Sequence, residues 1–235
     1  KTETISQSVD VANPKLWSVD SPNLYWVRTE IIQNGKVVDR TDSRFGIRYI
    51  ATNPNSGFYL NGVHTKLNGV CEHSDLGSLG METYQAAVDR RIRTLKKYGV
   101  NAIRTSHNPV SPEFIEACDR LGMLVFEEAF DQWLYSKNSD DYHNYFNKAA
   151  DGKTVVFDKA GNDNTNNDTS YIEVKREDLQ SNAERDIKAM VDRDKNAPCI
   201  FAWSTGNEIY DARYKHGENT LDMLTGWIKE IDTTR

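Results

Sequence analysis

The chain has 235 residues, 38% of them hydrophobic, enough for a real core in one medium or two small domains. Its 35 acidic residues outnumber 29 basic ones, a formal charge of −6. No Lys/Arg block interleaves with aromatics, which argues against a nucleic acid or an anionic membrane as partner and for a neutral polar ligand.

Three widely spaced cysteines, Cys71, Cys118 and Cys199, with no Cys-x-x-Cys argue against a disulfide framework and structural zinc, and each reads as a small buried apolar residue. No run reaches transmembrane length, and the first ten residues, KTETISQSVD, lack the apolar centre of a signal peptide. They also lack a starting Met, so both a cytoplasmic and a secreted location stay open.

Up to about residue 48 the pattern is β: NLYWVRTEII, the turn QNGK, then VVDRTDSRFG. A second Asn-Gly pair, Asn61-Gly62, predicts another hairpin, and TKLNGV is the candidate first strand of a new unit. From there helices and strands alternate. TYQAAVDRRIRTLKKYG puts Tyr84, Val88, Leu95 and Tyr98 near one helical face and closes on Gly99; VNAIRTS is a short strand. SPEFIEACDRLG follows, with Ser111 as N-cap, Pro112 at the first helical position and Gly122 as terminator. MLVFEEAF is the next strand. Beyond it, DLQSNAERDIKAMVDRDK carries Leu179, Ala183, Ile187, Met190 and Val191 on one side, CIFAWS is a strand, and NTLDMLTGWIKEID places Leu221, Leu224, Ile228 and Ile231 in phase.

These are four βα units, and polar groups gather after each strand: Glu72, His73 and Asp75; Arg104, Ser106 and His107; Glu127, Glu128 and Asp131; Asn207 and Glu208. Strands that shed their chemistry at one end are parallel strands. A doubly wound sheet is disfavoured because no Gly-x-Gly-x-x-Gly follows the first strand, so the expected fold is α/β, half of an eight-stranded (β/α) barrel. Glu127 and Glu128 are neighbours on a strand, so only one points into it.

A connection of more than forty residues separates the third strand from the third helix and includes GNDNTNNDTS. Asn162, Asn164, Asn166, Asp168 and Glu173 approach calcium-loop spacing, but Asn167 stands where Gly is needed and Asn162 lacks charge, so the segment reads as a solvated polar loop. Asn167-Asp168-Thr169 is a glycosylation sequon, meaningful in a eukaryotic secretory setting. Trp133, Trp203 and Tyr210 lie beside polar clusters; packing under a sugar face and ordinary rim packing are both open to them.

The run NAIRTSHNPVSPEFIEACDRLGMLVFEEAFD resembles the first signature of glycoside hydrolase family two, and DKNAPCIFAWSTGNE resembles the second. FGIRYI, GFYLNG and KLNGVCEHSDLGSLG look like the same family's entry into its catalytic barrel, in the compact β-galactosidase branch. Ala197 departs from the family's usual His, Arg or Tyr. The resemblance implies part of an immunoglobulin-like β-sandwich over residues 1–48, then the first half of a TIM barrel over 49–235. It implies a retaining glycosidase acting on terminal β-galactosides, with a carbohydrate substrate and no organic cofactor; β-glucuronidase, β-mannosidase and a non-catalytic carbohydrate-binding fragment are the alternatives.

On that resemblance Glu208 is the general acid/base and Asn207 a ligand of the sugar 2-hydroxyl. His73 and His107 are either satisfied loop histidines or contacts to sugar hydroxyls; the resemblance favours the second, and Asp75, Asp131 and Trp133 join them as substrate-binding candidates. Arg104 and Glu128 are nucleophile-orienting or electrostatic members of the site. Larger relatives place magnesium ligands where this chain has Gln132 and Leu134, so no metal is expected. The family's nucleophile sits on a later strand, so residues 1–235 alone are expected to be inactive and either to self-associate through open sheet edges or to be a portion of a larger folded polypeptide.

Overall fold

In the computed structural model, residues 4–133 and 182–235 are described, and the calcium-like segment, the sequon and Leu179 lie outside them. The Asn34-Gly35 pair takes positive φ, 51° and 74°, as a two-residue turn of this hand requires. It joins β1 (Tyr25–Gln33) to β2 (Lys36–Phe45) in an antiparallel ribbon, with a bulge between Ile31 and Ile32. Asn61-Gly62 repeats the device at 53° and 78° between β4 (Gly57–Leu60) and β5 (Val63–His64). β4 also pairs with β3 (Ile50–Asn53), a strand too short and polar to stand out in the sequence.

The four-stranded sheet is parallel throughout, in the order β6 (Gly69–His73), β7 (Ala102–Ser106), β8 (Leu124–Glu128) and β9 (Ile200–Ser204). The first strand therefore starts later than TKLNGV predicts. Asn68 instead docks on Asn101, its N–H donating to Asn101 Oδ1 at 2.8 Å while its carbonyl accepts the Asn101 N–H at 3.0 Å. Glu72 and His73 become strand residues as a result.

Helix α1 (Gln85–Lys97) buries Val88 and Ile92, one turn apart. Tyr84 and Tyr98, expected on that face, are 53% and 80% exposed because they are its two caps, outside the helical period. Helix α2 (Pro112–Leu121) opens with Ser111 Oγ accepting the Phe114 N–H at 3.3 Å and closes with Gly122 left-handed at φ 73°. Helix α3 (Asn182–Asp194) buries Ala183, Ile187, Met190 and Val191, as its spacing predicts. Helix α4 (Lys215–Ile231) starts earlier than expected and buries Leu224, Trp227 and Ile228, while Leu221 is turned out at 44% exposure.

The apolar residues form two clusters. One lies around Trp17, Ile103, Leu124 and Ile200, the other around Trp133, Ile187, Leu224 and Trp227, and Trp203 packs against both. Cys118 and Cys199 are buried as expected, but Cys71 is exposed, because it lies on the edge strand β6. Among the described residues no helix is long and apolar enough to cross a membrane.

Asp119 ties the N-terminal segment to the sheet. Its Oδ1 accepts the Cys199 N–H at 3.0 Å, Oδ2 faces Arg44 Nη2 at 3.4 Å, and its carbonyl accepts the Trp17 indole N–H at 2.9 Å. Burial pushes this carboxyl above the usual range against the pull of Cys199 and Arg44. Asp119→Ala strands the buried Cys199 N–H and leaves Arg44 with its Glu116 partner at 3.1 Å, so it is expected to lower unfolding stability by about 1–3 kcal/mol. A urea midpoint within about 0.5 kcal/mol of wild type would contradict that linkage.

Candidate active site

Strand alternation decides which acid of the Glu127-Glu128 pair faces the site. Both side chains are 0% exposed. Glu128 shares its face with Arg104 of β7 and Ser204 of β9. Its Oε2 accepts from Arg104 Nε at 2.9 Å, Arg104 Nη2 at 2.7 Å and Ser204 Oγ at 2.7 Å, and its own N–H donates to Thr105 Oγ1 at 2.8 Å. Oε1 lies 2.7 Å from His107 Nδ1. An ionised carboxylate only accepts, so in this pair Nδ1 carries the hydrogen and donates it to Glu128. Burial pulls the Arg104 guanidinium down, but the hydrogen bond and charge of Glu128 outweigh it, and the guanidinium stays above its usual value.

Arg104 extends the network beyond the sheet. Its Nη2 donates to Asn207 Oδ1 at 2.8 Å, and Asn207 Nδ2 donates to Asp131 Oδ1 at 3.0 Å. With its oxygen on Arg104 and its amide on Asp131, the Asn207 side chain has one orientation. Expected site residues from the second, third and fourth units are thereby joined in a single chain of charge-assisted hydrogen bonds. His73 of β6 joins by ring contact, its imidazole perpendicular to that of His107 with centroids 5.2 Å apart.

Glu208 follows Asn207 at the exit of β9, exposed and with a φ of 47°. A left-handed backbone is uncommon outside glycine and worth about 1–2 kcal/mol, and such outliers concentrate at functional sites. The turn before it is tightly made. Trp133 Nε1 donates to the Thr205 carbonyl at 2.8 Å, and a Cβ on Gly206 would stand 2.5 Å from Ile209 Cδ1 and 2.8 Å from Trp133 Nε1. Trp133, expected as a sugar contact, is 4% exposed in the second apolar cluster, and its indole N–H is engaged in holding this turn. The Trp203 indole N–H likewise donates to Asp232, at 2.9 Å, on the helix side of the sheet. Asp75 caps the short turn Gly77–Leu79 by accepting the Gly77 N–H at 2.9 Å. A cleft of about 200 Å³ lies beside it, lined by His73, Asp75, Leu76, Met81, Asn108 and Phe114.

Glu127 points the other way, toward α3, where its Oε1 lies 3.3 Å from Arg193 Nη2. Burial, with the charge of Asp194 adding to it and Arg193 opposing, pushes its carboxyl up to about 9. A carboxyl raised on folding contributes stability that is fully present below the unfolded-state value of about 4.3 and is lost as pH rises toward 9. Glu127→Gln removes that loss. Wild type is therefore expected to lose about 2–4 kcal/mol relative to the Gln variant between about pH 5 and pH 9, read from urea midpoints at each pH. Parallel pH curves for the two proteins would contradict the burial argument.

Sequence reasoning missed Ser204 and Thr105 as Glu128 partners, and Arg193. Ser204 was legible from alternation, since it ends β9 on the face opposite Trp203. Thr105 and Arg193 were not, because their roles depend on how the strands and α3 pack. Among the described residues no group of three or more His, Cys, Asp or Glu side chains is placed to hold a metal ion; Gln132 is buried, and Leu134 lies outside those residues.

A model described as glycosyl hydrolases family 2, TIM barrel domain, matches residues 52–235, and one described as glycosyl hydrolases family 2 matches residues 1–48. Beta-galactosidase BoGH2A of Bacteroides ovatus is 36% identical over 223 residues, which is 95% of this chain and 22% of that protein. A putative beta-glucuronidase of Formosa agariphila is 37% identical over 230 residues, 98% of this chain and 18% of that protein. Among solved structures, a glycosyl hydrolase family 2 member from Bacteroides cellulosilyticus superimposes with a TM-score of 0.77 at 39% identity, over 94% of this chain and 24% of its own. The chain thus spans about a fifth of the length of the curated relatives it matches.

Proposed function

The chain belongs to glycosyl hydrolases family 2, with a sandwich portion followed by a TIM-barrel portion, and from that premise we propose that it forms part of a retaining glycosidase removing terminal β-D-galactose from β-galactosides. The observation that carries this reading is the fixed orientation of Asn207 beside Glu208, at the carboxyl end of β9 where barrel enzymes keep their chemistry.

In this reading Glu208 donates a proton to the glycosidic oxygen as the bond to the leaving group breaks. The same carboxylate then takes a proton from the water that attacks the sugar. Asn207 donates to the sugar 2-hydroxyl, an interaction that strengthens as the ring gains oxocarbenium character. His107, oriented by Glu128, and His73 beside it bind ring hydroxyls, with Asp75 and Asp131 at the edge of the same site. Arg104 and Glu128 balance one another's charge and fix Asn207. Retention also needs a second carboxylate about 5–5.5 Å from Glu208, and the reading assigns it to a part of the protein outside residues 1–235.

A second reading, β-glucuronide hydrolysis, is favoured by the Formosa relative. A uronate needs a cation for its carboxylate, and because Arg104 is engaged by Glu128, that reading draws the cation from a part of the protein outside residues 1–235. The test is a panel of nitrophenyl β-galactoside, β-glucuronide and β-mannoside on an active polypeptide containing this chain. A kcat/KM highest for the galactoside by about tenfold or more is expected. A glucuronide preference would replace the proposed substrate while leaving the acid/base assignment in place.

A further inference from the structure

Arg91 lies midway along α1, on the outside of the sheet, and its side chain is mostly buried. The positions one turn away on its own helix, Ala87, Val88, Thr94 and Leu95, offer no acid, so it makes no intrahelical ion pair. Its neighbour Arg93 does, with Asp89 at 3.2 Å. Arg91 instead reaches across to the end of β6. Nη1 lies 2.9 Å from Glu72 Oε2 and donates to the His73 carbonyl at 3.3 Å, while Nη2 donates to the Asp75 carbonyl. All three acceptors fall within residues 72–75, the stretch that carries His73 to His107 in the candidate site.

Strand alternation sends Glu72 toward α1 and His73 toward Arg104 and His107. The guanidinium fork therefore grips the back of the residues whose fronts face the site. Burial pushes the Glu72 carboxyl up and Arg91 pulls it back, as fits an ion pair partly withdrawn from water. The turn has other fastenings: Asp75 N–H donates to the His73 carbonyl at 2.8 Å, and Asp75 Oδ1 accepts from Gly77. Arg91 is thus not needed to form the turn, only to fix its position against α1.

We propose that Arg91 is a positioning residue: by clamping Glu72 and the carbonyls of His73 and Asp75, it sets the His73 imidazole against that of His107. The proposal rests on the glycosidase reading for its kinetic consequence but not for its geometric one. A fork is needed because only a planar group with donors on two nitrogens spans these acceptors at once.

Three variants are compared in an active polypeptide containing this chain: Arg91→Ala, Arg91→Lys and Glu72→Gln. Both kcat/KM on a nitrophenyl glycoside and the His73 ring resonances, assigned with His73→Gln, are measured. Arg91→Ala is expected to shift the His73 resonances and lower kcat/KM about tenfold, with Arg91→Lys recovering part of the loss. Glu72→Gln, which still accepts from Arg91, is expected to stay within about threefold of wild type. A folded Arg91→Ala protein with unmoved His73 resonances and unchanged kcat/KM would overturn the proposal. Where the alanine variant does not fold, the lysine variant decides: moved His73 resonances support the clamp, and unmoved ones overturn it. If the parent polypeptide hydrolyses no β-glycoside, the functional reading fails while the His73 resonances still judge the clamp.

Discussion

Glu208→Gln, in an active polypeptide containing this chain, is expected to lower kcat/KM for alkyl and natural β-galactosides by about 10²–10⁴-fold and to change it far less for activated nitrophenyl galactosides. The difference follows from the leaving group. An alkoxide must be protonated as it departs, whereas a nitrophenolate leaves well without help. For activated substrates kcat/KM reports the first half of the reaction, so loss of the base appears instead in kcat, with KM falling alongside it. The position of Glu208, at the exit of β9 and beside an oriented Asn207, motivates this expectation. Equal losses on both substrate types would remove Glu208 from the acid role.

Glu128→Gln is the second large effect, and it differs in kind. Glu128 accepts from Arg104, Ser204 and His107 with no solvent contact. An amide in its place carries no charge and turns an NH2 group toward donors, so Arg104 loses its counter-ion and either Ser204 or His107 loses its acceptor. Arg104 retains some exposure, which lets water take up part of the loss. A fall in kcat/KM of about 10²-fold is expected on both leaving-group classes, together with a stability loss of about 2–3 kcal/mol. Leaving-group independence separates this residue from Glu208. Wild-type turnover at an unchanged urea midpoint would show that the network does not serve the site.

Where a single residue type fixes local geometry, the sequence was enough. Ser111, Pro112 and Gly122 bound α2 as read, because a capping hydroxyl, a preset φ and a left-handed terminus each have few substitutes. Both Asn-Gly turns formed for the same reason. Opposite facing of Glu127 and Glu128 was also legible, since alternation along a strand is a property of the backbone. Packing was less so. Tyr84 and Tyr98 fit the spacing of α1 but lie at its ends, and Ile92, in the middle, takes the core position. In α4 Leu221 is exposed, while Trp227 joins Leu224 and Ile228 in the cluster with Ile187 and Met190 of α3. For the site, the residues Arg104, Asn207, Asp131, His107 and Glu128 could be named, but not that they form one connected network. That depends on strand register and loop direction, which no local pattern encodes. The role of Trp133 in the turn was not legible either, because its indole N–H finds the Thr205 carbonyl 72 residues along the chain.

The acid/base assignment of Glu208 in a retaining enzyme is tested most directly by azide rescue. Glu208→Ala, in an active polypeptide containing this chain, is given dinitrophenyl β-galactoside with and without sodium azide, and the product is identified by NMR. Removing the carboxylate leaves room for a small anion that needs no general base, so azide should restore turnover and yield the β-galactosyl azide, with the starting configuration retained. Absence of rescue, or an α-azide formed by single displacement, would contradict the assignment.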